Sequence, residues 1–247
     1  RDKITGEYLV DHTQSTQSTF INNEGLIEST YANYAGASVT LDENDWFRLN
    51  QSGTGVIQDN TDGVYTPRGQ LAKILLPNQS GNQPLQSNNG LYMSPRLAWN
   101  NALPQAGLTV TKSIYAKMQT GGPRYISHNG WAGNGISTVN VKFDLQEGVV
   151  HGDQSYYPDN QTSRDRTSWG INDEGGGWYR CWVTITNTSA HPSMTWVMNR
   201  TSATGDDDFY YEPNNWDINK GVYVANAQFN FGQLKDYVPT YGNLNYA

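Results

Sequence analysis

Cysteine is nearly absent from this chain: Cys181 stands alone in 247 residues. That excludes an internal disulfide, and no Cys or Cys/His spacing suits zinc, so stability must rest on packing. Charge is scarce as well. Asp, Glu, Lys and Arg make up 16% of the residues, against roughly 25% in an average globular chain, and solubility therefore comes from uncharged Asn, Ser, Thr and Gly. What charge there is leans acidic, with a net of -7. No basic footprint exists for neutralising phosphates or an anionic membrane surface, and nucleic acid is set aside as a partner. No stretch approaches the ~18 apolar residues of a membrane span, and "RDKITGEYLVDH" lacks the apolar block of a signal peptide. Stripes of helical period are missing beyond about ten residues, so helix should be marginal.

What is present is aromatic and alternating. The 16 Tyr, 8 Trp and 6 Phe need burial or a ligand surface, which argues for a folded chain. "TVNVKFDL" (138–145) sets Val139, Val141, Phe143 and Leu145 against a wet face of Asn140, Lys142 and Asp144, the period of a half-buried strand. "LTVTKSIYAKM" (108–118) places Leu108, Val110, Ile114, Ala116 and Met118 on one side. "GVYVANAQF" (221–229) sets Tyr223, Ala225, Ala227 and Phe229 against Val222 and Val224. Shorter strands are expected within 70–76, 90–99, 124–128, 178–186 and 194–198, separated by runs rich in Gly, Asn, Ser and Pro. The expected fold is all-β, a two-sheet sandwich. Residues 1–40 are polar and poor in core formers, an attachment arm or small hairpin region; 41–240 hold the sandwich and 241–247 form a peripheral tail.

The order of motifs then adds information. "KSIYAKM" (112–118), "RYISH" (124–128), "VKFDLQEGVV" (141–150), "GGGWYRCWVTIT" (175–186) and "GVYVANAQFNFGQLKDYVPT" (221–240) follow one another in a succession that resembles a jelly-roll domain of tailed-phage virion proteins. Such domains are similar to carbohydrate-binding modules and are carried on fibres, head spikes and tail proteins. Upstream, "STFINNEGLIEST" (18–30) resembles a segment that often precedes this domain. The resemblance implies a jelly-roll sandwich at the virion surface. The chain departs from the pattern at Asn230, where the family often carries Glu, and at Asn226, where a small residue is common; any role of that Glu in supporting a metal is put in doubt.

Two stretches invite a chemical reading. Cys181 alternates in phase with Tyr179, Val183 and Ile185, and the four His are scattered, so a buried structural thiol is expected rather than a nucleophile. The opposite face, Trp178, Arg180, Trp182 and Thr184, points into the sandwich, at a neighbouring subunit or at a ligand; an Arg between two Trp can stack on them or reach a carboxylate. The preceding "DEGGG" reads as a turn.

Sugar recognition needs flat aromatic faces flanked by hydrogen-bonding groups. "NGWAGNG" (129–135) offers Trp131, and "DQSYYPDNQTSRDRTSW" (153–169) offers Tyr156, Tyr157, Arg164, Arg166 and Trp169. These serve either as glycan contacts or as anchors and subunit contacts. Calcium at Asp206, Asp207 and Asp208 lacks EF-hand spacing, and an exposed acidic turn is the simpler reading. Asn-x-Ser/Thr triplets at Asn50, Asn78, Asn160, Asn187 and Asn199 are what such a composition produces by chance.

The resulting expectation is a non-enzymatic surface protein of a phage particle, without cofactor or metal. It would assemble as a trimer or dimer with other virion proteins and meet host glycans through its loops, repetition turning weak contacts into avidity. The alternatives are a carbohydrate-binding module of a secreted polysaccharide-degrading enzyme, or a glycosidase, which would need a carboxylate pair about 5–10 Å apart.

Overall fold

The computed structural model describes residues 19–21, 27–29, 41, 47–48, 57–75, 91–93, 109–122, 124–131, 138–153, 167–186, 196–198 and 220–237. Among these residues all regular structure is strand. The chain divides into two compact units, one of Arg1–Ala32 with Leu244–Ala247 and one of Asn33–Asn243. The first holds an antiparallel hairpin of β1 (Thr19–Ile21) and β2 (Ile27–Ser29), with Phe20 opposite Glu28.

The larger unit holds β3 (Phe47–Arg48), β4 (Ile57–Asp59), β5 (Lys73–Leu75), β6 (Leu91–Met93), β7 (Thr109–Met118), β8 (Tyr125–Trp131), β9 (Thr138–Asp144), β10 (Val149–Asp153), β11 (Thr167–Gly175), β12 (Trp178–Thr186), β13 (Trp196–Met198) and β14 (Val222–Phe231). They form two antiparallel sheets, β10-β9-β8-β13-β6-β3 and β11-β12-β7-β14-β5-β4. The inner orders are β6-β13-β8-β9 in the first sheet and β5-β14-β7-β12 in the second, and β8 and β9 pack against the second sheet. The chain changes sheet from β3 to β4, β5 to β6, β6 to β7, β7 to β8, β10 to β11, β12 to β13 and β13 to β14. That repeated crossing is the path of a jelly roll, and the expected all-β sandwich is what the chain forms.

The core lies between the sheets. Ile126, Val141, Phe143 and Leu145 from the first sheet and its turn meet Val110, Ile114, Cys181, Val183, Ile185, Val222, Val224 and Phe229 from the second. Each such aliphatic or aromatic side chain contributes about 1.5–3 kcal/mol on full burial. Strand β12 alternates as expected, with Cys181, Val183 and Ile185 inward and Trp178, Arg180, Trp182 and Thr184 outward.

Two expectations fail on register and burial. Along β14, Ala225 opposes Tyr115 but Gln228 opposes Ser113, so one extra residue sits in the strand. Asn226 occupies this β-bulge with φ of 53°. The bulge reverses the alternation: Val222 and Val224 share the core face with Ala227 and Phe229, while Tyr223 and Ala225 belong to a cluster on the other side. In β9 the supposedly wet Lys142 and Asp144 are both buried. Asp144 accepts paired bonds from Arg124 Nε (2.8 Å) and Nη2 and from the backbone N–H of Gln146 and Glu147. Burial alone would raise its pKa, but these donors reverse the effect and hold it below the ordinary value.

A basic pair is enclosed in the core. Lys112 lies in phase with Val110 and Ile114 and is 1% exposed, and burial drives its pKa down to about 7. His128 is fully enclosed, edge-on to Phe143 at 5.3 Å; burial, reinforced by Lys112, holds it well below its ordinary value. For both groups the unfolded chain binds the proton more readily, so stability rises with pH through the gap. For Lys112 the window runs from about 7 toward its ordinary value of 10.5. Urea titrations should show stability rising by about 1.4 kcal/mol per pH unit through the lower part of that window. Lys112→Met should flatten the slope and raise stability at pH 7 by about 1–4 kcal/mol; an unchanged slope would show that Lys112 is not its source.

Candidate functional site

The outer face of the second sheet carries the functional groups. From β11 come Ser168, Gly170, Asn172 and Glu174; from β12 Trp178, Arg180, Trp182 and Thr184; from β7 Thr111, Ser113 and Tyr115; from β14 Gln228 and Asn230. Thr184 and Thr111 hydrogen-bond across the strands at 2.6 Å, as do Thr186 and Thr109 at 2.8 Å.

Two irregular segments cover parts of this face. Residues 60–72 form a hairpin closed by the Tyr65–Leu71 bridge and by Thr66 N–H to Gln70 O at 2.8 Å. Trp178 Nε1 donates to Tyr65 O at 3.0 Å, and Tyr223 Oη and Gln119 Nε2 both donate to Asp62, at 2.7 and 3.2 Å. Beneath it Ala72, Ile74, Tyr115, Trp178, Tyr223 and Ala225 make a second apolar cluster. The other cover is 232–237. Its carbonyls accept from Thr111 (Gly232 O, 2.6 Å), Asn230 (Gln233 O, 2.8 Å), Arg180 (Lys235 O, 2.6 Å) and Gln228 (Lys235 O, 3.2 Å). Asn230 thus spends its amide on fixing the turn after β14.

Of the two uses the sequence offered for Arg180, stacking on Trp or reaching a carboxylate, the structure shows neither: its stem is buried and it bonds a hydroxyl and a carbonyl. It is 4% exposed, donates from Nε to Ser113 Oγ at 3.1 Å, and places Cζ 5.7 Å from the Tyr115 ring centroid. Burial lowers its pKa from the usual value. Cys181 is buried on the reverse of the strand as a free thiol, and burial pushes its pKa far up. It is no nucleophile.

The open part of the face lies over β11 and β12. Trp182 is partly exposed and opposes Gly170. Its indole crosses that glycine so closely that a Cβ there would sit 2.6 Å from Cζ2. The indole N–H donates to Asn172 Oδ1 at 3.2 Å. The β11–β12 hairpin that presents this pair turns through Gly175, Gly176 and Gly177, with φ of 87°, 61° and 77°, a backbone that L side chains rarely adopt. An aromatic surface with an amide and a hydroxyl beside it can take the apolar side of a pyranose ring while hydrogen-bonding its hydroxyls. Among the described residues no group of three or more His, Cys, Asp or Glu could hold a metal ion.

The residues singled out from sequence fare unevenly. Trp169 is in strand β11 rather than a loop; it opposes Val183 and packs partly buried against the main core. Of "DEGGG", read as a turn, Asp173, Glu174 and Gly175 continue β11, and Gly176 and Gly177 make the turn. Trp131 ends β8, paired with Thr138. Tyr156, Tyr157, Arg164 and Arg166 lie outside the described residues, as do Asp206, Asp207 and Asp208. The sequence named Trp182 as part of an unassigned face, but the signal that marks it as a surface, a glycine directly opposite, emerges only once β11 is recognised as its neighbour.

No family model and no curated protein matches the chain. Among solved structures it is similar to the CBM22-1–GH10 modules of endo-1,4-beta-D-xylanase 10B from Clostridium thermocellum, complexed with xylohexaose. The TM-score is 0.38 and the identity 8%, over 85% of this chain and 29% of that one.

Gly170→Val should force the indole off β11. The expected result is a changed Trp emission and a new NMR shift for the Trp182 indole N–H, with the strand pairing retained. An unaltered indole resonance would mean that Trp182 does not rest on Gly170.

Proposed function

We propose that the chain is a non-enzymatic glycan-binding sandwich whose contact surface is centred on Trp182. The observation that carries this reading is the indole laid across Gly170 with Asn172 bonded to its N–H. Such a ring is held in place before any ligand arrives, which reduces the entropy cost of binding. Ser168 and Asn172, both exposed on β11, supply a hydroxyl and an amide around it, and Tyr156, Tyr157, Arg164 and Arg166 are proposed to extend the surface.

The succession of motifs from "KSIYAKM" to "GQLKDYVPT" supports a setting on the surface of a tailed-phage particle, as fibre, spike or capsid decoration. In that setting copies of a weak site act together, and a trimeric or dimeric assembly with other virion proteins follows from the need for avidity.

A glycan array probed with the full chain should give binding in the high micromolar to millimolar range, reduced about tenfold or more by Trp182→Ala, as loss of about 1.4 kcal/mol of stacking requires. Binding untouched by that substitution would remove Trp182 from the site, and an empty array would overturn the glycan reading. Antibodies against the chain should decorate intact phage particles; labelling confined to a secreted polysaccharide-degrading enzyme would replace the virion setting with an enzyme-borne module.

A further inference from the structure

Several irregularities converge at one level of the outer face, away from Trp182. Tyr115 of β7 opposes Arg180 on one side and Ala225 on the other. The next residue, Asn226, is held in the left-handed region, with φ of 53°, a strain that persists in non-glycine residues only where the surroundings enforce it. Tyr115 and Asn226 are both fully buried. The Asn226 amide points its nitrogen at Thr66 Oγ1, 3.5 Å away, while its Oδ1 has no hydrogen-bond partner. The Tyr115 hydroxyl, also buried, makes no hydrogen bond of ordinary geometry. Two guanidiniums approach the same tyrosine ring, Arg68 at 5.8 Å and Arg180 at 5.7 Å from its centroid.

These groups are complementary to a particular chemistry. Arg180 has partners of its own in Ser113 and Lys235 O, and Glu174 and Asp236 act on it electrostatically. Arg68 is exposed on the 60–72 hairpin and is the cation open to an incoming anion. A guanidinium and a phenol hydroxyl both donate to a carboxylate, and Asn226 Oδ1 accepts from a hydroxyl. A carboxylate beside a hydroxyl on one small ring is the pattern of a uronic-acid residue; a neutral hexose offers nothing that uses Arg68 as fully.

We propose that Arg68, Tyr115 and Asn226 form a subsite for the carboxylate-bearing residue of an acidic glycan, Arg68 and Tyr115 binding the carboxylate and Asn226 a neighbouring hydroxyl. The 60–72 hairpin lifts off the buried Tyr115 and Asn226 to admit the ligand and closes back over it, returning Arg68 to the bound carboxylate. This inference rests on the glycan reading above and narrows it to acidic sugars.

The test is calorimetry on the full chain at pH 7 with a glucuronic-acid-terminated disaccharide and its glucose-terminated counterpart. The acidic sugar should bind at least tenfold more tightly, and Arg68→Ala and Tyr115→Phe should each remove that preference. Tyr115→Phe deletes only the hydroxyl, and a melting temperature that stays level or rises separates lost recognition from lost folding. Equal affinity for the two sugars, or full preference retained in Tyr115→Phe, would overturn the subsite. If the two bind equally and Trp182→Ala weakens both, the glycan surface stands without the acidic subsite; if neither binds, both readings fall. A buried water bridging Tyr115 and Asn226 would be revealed by Tyr115→Phe changing neither ligand's affinity, and that too overturns the proposal.

Discussion

The single extra residue in β14 organises both faces of the second sheet. Had the strand kept its alternation past Ala225, Gln228 and Asn230 would point between the sheets and Ala227 and Phe229 would face outward. The bulge at Asn226 resets the phase, so Val222, Val224, Ala227 and Phe229 line one core and the two amides lie on the sheet's other face, where they too are buried. There they bind the carbonyls of 233 and 235 and draw the following segment across the sheet. A left-handed Asn is the strain accepted for a core without buried amides.

The same division accounts for the electrostatics. Polar groups on the outer face are almost all saturated, by threonine pairs, by the carbonyls of 232–235 and by Asp62. The core holds a different problem in Lys112 and His128, where enclosure works against the charged forms of both. Asp144 shows the contrasting solution: four donors surround an equally buried carboxylate and keep it ionised. The fold thus tolerates burial of charge where donors converge and shifts toward neutrality where enclosure dominates.

Much of the architecture was legible in the sequence. The strand character of 108–118, 138–145 and 178–186 follows from period-two alternation, and the buried Cys181 follows from its phase within "WYRCWVTIT". Strand β11 was not legible. "TSWGINDEG" has two glycines and three acidic or amide residues and reads as loop, yet β12 holds it in register along its length. With β11 missing, Trp169 read as a loop aromatic when it packs on the core, and Gly170 had no visible function. The partners of Arg180 were not legible for a related reason: sequence shows its neighbours along the strand, whereas Ser113, Tyr115 and Lys235 come from across the sheet and over it.

The sequence by itself therefore determined the class of fold, the inward residues of the regular strands and the inertness of the thiol, because these depend on local periodicity and on the cost of exposing apolar groups. Tertiary structure decided which strands neighbour one another, where the bulge reverses the faces, and that Trp182 rests on Gly170 while Tyr115 lies among Arg68, Arg180 and Asn226. Those features depend on contacts between residues from about a dozen to more than a hundred positions apart, and no local pattern in the chain records which backbone will supply the partner.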